Sequence, residues 1–350
     1  MNSPLRIALL LATPGSTWGG MEKHTLDLAR HLADGGHQVH ILADRRYQAR
    51  FAPPLHFHAL PVHLSRHHPW LGFSLGRLLR RIAPDIAHAQ GNKAAQLLSG
   101  PAGKSCRTSI GTVHGTKTSH RAFKRLDGVI AVSSLIAESL EHPRVTVIPN
   151  GCAVPARRPA RPDHMPRPPA DGALVVAAGR LVAVKGFDNL LKAWADLSTR
   201  HRLVILGEGP ERAKLESQAQ TLGFQDRVLF MGFRDDVPAW LSHADACVIS
   251  SHREGFPYLM VEALLVTCPV LATPVSGVMD CLPHNSIARD SSSAALASLL
   301  AHWLDRIPEL RAAQQQAFQT AATTLTLEAM TTQTLAFYRA CLSDACRSDA

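Results

Sequence analysis

The feature that most restricts this chain is an alternation, kept from end to end, of short apolar runs with amphipathic stretches of helical period. Leu5–Leu11 is apolar apart from Arg6. Gly19-Gly20 then opens Met21–Ala33, where Leu26, Leu28, Ala29 and Leu32 supply the apolar face. Gly35-Gly36 closes that stretch, and Val39–Ala43 reads as the next strand. A strand, a glycine turn, a helix and a second strand in so short a span form the pattern of a βαβ crossover, which builds parallel sheet. Ile86–Ala89, Ser109–Val113, Val129–Val132 and Val145–Ile148 continue the series. The pattern restarts at Leu174–Ala178 and runs through Leu203–Leu206, Val228–Met231, Ala246–Ile249 and Val270–Ala272, with Phe187–Leu197 and Glu211–Leu222 as intervening helices. Parallel strands need helices on both faces. The expectation is two successive doubly wound α/β units.

A length of 350 residues fits two such units. The expected division is 1–152, then 153–324, then a helical segment 325–350 that packs back on the first unit. Pro149-Asn150-Gly151 ends the first half, and residues 153–172, dense in Pro and Arg, read as the connection. The composition, 46% hydrophobic and 19% charged, argues against both disorder and a polytopic membrane protein. No run approaches the roughly 18 apolar residues that a spanning helix needs, and Ile7–Ala12 is short for a secretory signal. The seven Cys are scattered without zinc-like spacing, as expected of reduced thiols in the cytoplasm.

Charge is less evenly spread. Residues 1–150 hold 18 Lys and Arg against 8 Asp and Glu, whereas the remainder holds 19 against 20. The net +9 therefore belongs to the first half, and it suits a phosphorylated or membrane-bound partner. No nucleic-acid recognition motif accompanies it, so nucleic acid is not an expected partner.

The segment Glu254-Gly255-Phe256-Pro257-Tyr258-Leu259-Met260-Val261-Glu262-Ala263 carries the densest chemistry. It follows the strand Ala246–Ile249 and the loop Ser250–Arg253. Gly255 and Pro257 place a turn before a helix running to about Val266, with Pro257 at its first position, where the missing N–H costs nothing. The backbone N–H groups around Gly255–Leu259 then offer an anion or hydroxyl site at a helix N-terminus. Glu262 lies eight positions after Glu254, near two turns at about 100° per residue. Paired carboxylates in one place accept hydrogen bonds from vicinal hydroxyls, as a sugar or ribose presents them. An acidic residue favoured by the helix dipole, plus one solvated Glu, fits the same pattern.

The E-x7-E spacing, with Gly-Phe-Pro after the first Glu, resembles the retaining GT-B glycosyltransferases of the GT4 family. Other segments match in family order: the glycine loop and first helix, Ser16–Leu32; Val147–Gly151; Gly179-Arg180-Leu181 through Lys185-Gly186; Ile205–Pro210; and Gly232-Phe233. The resemblance implies a GT-B fold, two Rossmann-like domains facing a cleft, the N-terminal one for acceptor and the C-terminal one for nucleotide sugar. It implies a retaining hexosyltransferase that moves a sugar from a nucleoside diphosphate, by expectation UDP, to a hydroxyl of a glycolipid or polysaccharide in lipopolysaccharide or cell-surface glycan synthesis.

Site roles follow from the same resemblance. Arg180 and Lys185 hold the diphosphate and offset its charge as it departs. Glu262 accepts from the ribose, and Glu254 binds the transferred sugar. Gly255 and the backbone at Phe256, Pro257, Tyr258 and Leu259 contact sugar or phosphate. Gly207 belongs to the donor loops, Phe233 flanks the base, and Gly19 and Gly20 admit the donor close to the backbone. His114 assists by hydrogen bonding at the sugar, with His120 and Lys117 as weaker candidates in the same loop.

Some residues depart from the family pattern. Asp235-Asp236 is not the Asp-x-Asp of metal-dependent transferases, and His63-x3-His67 lacks an acidic third ligand, so neither metal nor cofactor is expected; the nucleotide sugar is a co-substrate. Pro274–Val278 has one Gly where relatives often have two, and Asn285-Ser286 stands where Asn-Gly is usual, which leaves the donor sugar open. Trp70–Arg81 sets aromatic residues beside three Arg. It reads either as a domain helix with a basic edge or as an amphipathic helix on an anionic membrane, at the inner face of the cytoplasmic membrane. Two further functions stay open: a nucleotide-sugar 2-epimerase of the same fold, and a non-catalytic subunit that binds sugar nucleotides or glycans.

Overall fold

The structure is a computed structural model that describes residues 3–14, 18–116, 120–167 and 171–348. The chain divides into two compact units, one running to Gly151 and resuming at Leu327, the other Cys152–Thr326.

In the first unit, β1 (Arg6–Leu11), β2 (Gln38–Ala43), β3 (His56–Ala59), β4 (Ile86–Gln90), β5 (Thr108–Val113), β6 (Gly128–Ala131) and β7 (Val145–Val147) form one parallel sheet, in the order β3-β2-β1-β4-β5-β6-β7. Leu9 of β1 faces Ile41 on one side and His88 on the other. Every residue from Ile7 to Leu11 is buried, as an apolar run covered on both faces must be. The helix Gly20–Asp34 adds Leu28, Ala29 and Leu32 to this core, and the helix Leu327–Ser348 adds Met330, Tyr338 and Cys341. Burying each large aliphatic side chain contributes about 1.5–3 kcal/mol. That is why the last helix belongs with the first unit: its apolar face completes that core.

In the second unit, β8 (Leu174–Ala178), β9 (Arg202–Leu206), β10 (Val228–Phe230), β11 (Ala246–Ile249) and β12 (Val270–Ala272) form a parallel sheet in the order β10-β9-β8-β11-β12. Its core joins Val175, Leu203, Ile205 and Leu271 to Phe187, Leu190 and Trp194 of the helix Phe187–Ala195, and to Leu296 and Leu300 of the helix Ser293–Trp303.

Two local differences from the sequence reading have physical causes. The strand β3, His-Phe-His-Ala, alternates polar and apolar residues over only four positions and lacks the continuous apolar run that marks the other strands; pairing with β2 recruits it, His40 beside His56 and Leu42 beside His58. The helix after Glu254 spans Tyr258–Leu265, and Pro257, at φ −66° and ψ 121°, is its extended cap rather than its first helical residue.

Both sheets reverse strand order once, between β1 and β4 and between β8 and β11. In open α/β sheets, ligands bind outside the carboxyl ends of the strands at such a reversal.

Candidate functional site

At the β8/β11 reversal, two connections leave the sheet side by side. After β8 comes Gly179–Gly186, and after β11 comes Ser250–Pro257. Three hydrogen bonds or ion pairs join them. The His252 N–H donates to the Val184 carbonyl at 2.9 Å, and the Ser250 hydroxyl donates to the Lys185 carbonyl at 2.9 Å. The Lys185 ammonium meets Glu254 Oε1 at 2.5 Å. Gly186 makes this approach feasible. Its φ is +62°, and a Cβ there would lie 2.1 Å from the Ser250 carbonyl oxygen.

The neighbouring loops are tied in the same way. Leu181 N–H donates to Glu208 O at 2.9 Å, Glu211 N–H to Leu181 O at 3.0 Å, and Gly207 N–H to Gly232 O at 2.7 Å. Gly207, at φ +143°, would place a Cβ 1.9 Å from the Gly179 carbonyl oxygen. The connections after β8, β9, β10 and β11 thus form one backbone-linked rim.

The electrostatics of Glu254 and Lys185 are specific. Glu254 Oε1 takes two donors, the Lys185 ammonium and the Ser251 hydroxyl at 2.6 Å. Its Oε2 has no protein partner among the described residues, so one oxygen fixes the carboxylate and the other is available to a ligand hydroxyl. Lys185 spends one of three ammonium protons on Glu254 and keeps two for an anion. Both side chains are partly shielded, at 29% and 14% exposure, which strengthens such bonds relative to the open surface.

The remaining candidates sit on this rim or next to it. Arg180 is exposed, with no partner for its guanidinium among the described residues. Phe233, directly after Gly232, is 71% exposed. Gly255, Phe256 and Pro257 are buried, Tyr258 and Leu259 half-buried, and the Phe256 ring lies against the turn at Gly277. Glu262 is half-buried in the second turn of the helix; after burial and Cys268, its charge helps to keep the Cys247 thiol protonated. Asp236 is committed elsewhere: Arg234 binds it at 2.8 and 2.7 Å and lowers its pKa, and Trp240 Nε1–H donates to it at 3.2 Å.

The first unit holds a second polar cluster at the carboxyl ends of β4 and β5. His114 follows β5 and sets its Nε2 2.7 Å from Gln90 Oε1. Its ring lies edge-on to His24 at 4.7 Å, and His24 Nδ1 is 3.1 Å from Asn150 Oδ1. Behind Gln90, His88 contacts Tyr338 OH at 2.6 Å and Thr112 Oγ1 at 2.7 Å. Burial drives all three imidazoles towards the neutral form. His24 falls to about 4 and His88 to about 3, while His114, also beside His24 and His88, falls well below its ordinary value. His114 is thus a neutral hydrogen-bonding group at pH 7. Gly19 and Gly20 are exposed at the start of the first helix, where Gly19 N–H donates to Glu22 Oε2 at 3.0 Å. His120 lies near Phe123, and Lys117 falls outside the described residues.

Comparison with known proteins decides the family. Residues 18–154 match the model of Glycosyltransferase Family 4, and residues 164–320 match that of Glycosyl transferases group 1. The chain belongs to the family 4, group 1 glycosyltransferases. The lipopolysaccharide core biosynthesis glycosyltransferase LpsE of Rhizobium meliloti is 31% identical over 215 residues, which cover 59% of this chain and 61% of that protein. Among the first curated relatives, the match spans 17% to 61% of the relative's own length. Among solved structures, a glycosyltransferase from Rickettsia africae superposes with a TM-score of 0.80 at 18% identity, covering 97% of this chain and 99% of that one. Anabaena Alr3699/HepE in complex with UDP and glucose superposes at 0.77 with 20% identity, covering 95% and 98%. The two parallel-sheet domains are those of the GT-B fold.

Within this family frame, the sequence reading found Lys185 and Glu254 but missed their partner Ser251, a plain serine in a loop. It also missed His24, Gln90 and Tyr338, which meet His114 only through the fold. No group of three or more His, Cys, Asp or Glu among the described residues is arranged to hold a metal ion. No helix among them is long and apolar enough to cross a membrane.

Proposed function

We infer that the chain is a retaining, metal-independent hexosyltransferase that moves a sugar from a UDP-sugar to a hydroxyl of a glycolipid or polysaccharide acceptor in cell-surface glycan synthesis. One observation carries this reading: at the β8/β11 reversal, Glu254 is fixed through one oxygen with the other open, beside a Lys185 that keeps two protons for an anion. A sugar needs the first group and a diphosphate the second.

In this reading Glu254 Oε2 accepts from hydroxyls of the transferred sugar, and Glu262 accepts from the ribose. As the bond from the anomeric carbon to phosphate breaks, charge gathers on the leaving diphosphate. Lys185 and Arg180 offset it there, in a site already organised before the reaction. Neutral His114, whose Nε2–H goes to Gln90, accepts from a sugar hydroxyl at Nδ1 without adding charge. The UDP complexes of a structural neighbour support a nucleotide-sugar donor, and lipopolysaccharide-related relatives support a glycan acceptor.

The test begins with a thermal-shift panel of UDP-, GDP- and ADP-sugars, since a ligand that binds only the folded state raises the midpoint. Transfer and donor-hydrolysis assays follow on wild type, Glu254→Ala and Lys185→Ala. Turnover that needs an acceptor and fails in both variants supports the transferase. Donor interconversion without acceptor identifies an epimerase. Donor binding with no turnover in any protein identifies a binding subunit.

A further inference from the structure

The second unit has a recess of about 500 Å³ at the end of its sheet away from the rim that carries Lys185 and Glu254. That rim is built from connections leaving the carboxyl ends of β8 to β11. The recess is lined instead by Asp245, directly before β11, and by Thr267 and Cys268, just before β12. Because these strands run parallel, the two places lie on opposite edges of the sheet. Three arginines line the recess: Arg157 and Arg158 from the connection that enters the unit, and Arg311 from the helix Ile307–Ala313.

Two of the arginines are fixed in place, and the fixing leaves donors free. His243 Nε2 lies 2.9 Å from the Pro159 carbonyl oxygen, which can only accept, so in the neutral ring Nδ1 is an acceptor. Arg158 Nη2 donates to that Nδ1 at 3.3 Å and to the Ser242 carbonyl oxygen at 2.6 Å. Arg311 Nη1 donates to the Thr267 carbonyl oxygen at 2.5 Å. The Arg157 guanidinium has no partner among the described residues. Helix ends explain part of this charge. Ser242 closes the helix Val237–Ser242, and Thr267 follows the end of Tyr258–Leu265. Each such end carries about half a negative charge. With Asp245, whose Oδ2 accepts from Leu174 N–H at 2.7 Å, they offset about two of the three arginine charges. Arg157 supplies the remainder and serves no helix end. Thr267 gives a second, independent sign. Its φ is +56°, a left-handed conformation that β-branched residues rarely adopt and that glycine usually fills after a helix. Strain of this kind gathers where a ligand is held. Free guanidinium N–H groups in a planar fork match phosphate oxygens. The volume is that of a small-molecule site rather than of a bare ion. Half-buried Pro155, Leu265 and Val266 add apolar wall for an organic remainder.

We propose that the recess bounded by Arg157, Arg158, Arg311 and Thr267 is a second binding site, for a small phosphate ester. This stands apart from the transferase reading, since occupancy there requires neither donor nor turnover.

The test is a phosphorus NMR titration of the full chain with ribose 5-phosphate and with glycerol 3-phosphate, each with and without saturating UDP. Both esters are expected to bind in either condition, more tightly than inorganic phosphate and more weakly at high salt. Calorimetry with ribose, which lacks the charge, should show no binding. Arg157→Gln should weaken the esters about tenfold or more. Its thermal midpoint should match wild type, because Arg157 holds no other group, and this separates a lost site from lost folding. Thr267→Gly should raise the midpoint by relieving the strained backbone, yet weaken the esters by loosening the carbonyl that holds Arg311. Failure of both esters to bind, or their complete displacement by UDP, overturns the proposal. So does unchanged binding in both Arg157→Gln and Thr267→Gly, or inorganic phosphate that binds as tightly as the esters.

Discussion

Gly186 and Gly223 offer a matched pair for testing the joined loops. Both belong to the second unit and both have left-handed backbones, at φ +62° and +75°. They differ in what a methyl group would meet: the Ser250 carbonyl oxygen at 2.1 Å for Gly186, and nothing within 4 Å for Gly223. Alanine at Gly223 therefore carries only the backbone penalty, about 1–2 kcal/mol. Alanine at Gly186 carries that penalty too, and must also part the two connections by more than an ångström before carbon and oxygen reach the 3.4 Å of ordinary contact. Overpacking of this kind costs about 1–3 kcal/mol more. For a unit of this size, about 2–4 °C accompanies each kcal/mol, so the midpoint of Gly186→Ala should lie about 2–12 °C below that of Gly223→Ala. The forced displacement begins one residue from Lys185 and pushes on the loop that carries Glu254. UDP binding by calorimetry should therefore weaken about tenfold or more in Gly186→Ala and stay at the wild-type value in Gly223→Ala, because ångström shifts at a positioned site are costly. Equal midpoints and equal UDP affinities in the two variants would refute the close approach.

Other expectations follow from the same geometry. Lys185→Ala and Glu254→Gln should each lower the transfer rate about 100-fold. The double variant should be little worse than the poorer single one, because the groups act through one ion pair; losses that multiply would show the two to be independent. Transfer should persist after extensive treatment with EDTA, and loss that Mg²⁺ or Mn²⁺ restores would refute metal independence. Acid should destabilise the first unit through His24 and His88, held near 4 and 3 when folded against 6.5 when unfolded. The unfolded chain takes up protons first as pH falls, so this stability is complete above about pH 6.5 and is lost progressively towards pH 3; by pH 5 the two together cost about 4 kcal/mol. Denaturant midpoints at pH 7.5 and pH 5 check this, and a His24→Gln/His88→Gln variant with the same pH slope as wild type would contradict it.

The fold was legible because buried parallel strands must be continuous apolar runs. Leu174–Ala178, Ala246–Ile249 and Val270–Ala272 appear in the structure with the same ends as in the sequence. The strand β3 was not legible, since its His-Phe-His-Ala depends on a neighbour for its conformation. At the site, Lys185 and Glu254 stood out as members of motifs, yet their contact did not: they lie 69 residues apart and meet because the sheet order sets β8 beside β11. Ser251 carried no signal of its own, and Gly186, though it closes the Lys185-Gly186 motif, gave no hint of the carbonyl it admits. A serine that orients a carboxylate, and a glycine that admits a carbonyl, look like any loop residue until the partner strand is in place.

The same limit applies to His114, and there the fold adds more than contact. A lone histidine after a strand says nothing about its protonation or its tautomer. Gln90 presents its amide oxygen at 2.7 Å, so His114 donates from Nε2 and leaves Nδ1 as an acceptor. Gln90 Nε2 lies 3.5 Å from His88 Nε2, and His88 is held in turn by Thr112 and by Tyr338 of the last helix. Buried polar groups of this kind are stable only when each has its partner. The last helix therefore does more than cover apolar surface on the first unit. Through Tyr338, His88 and Gln90 it helps set which nitrogen of His114 is free, and a change at residue 338 reaches a loop 224 positions earlier without any contact between the two.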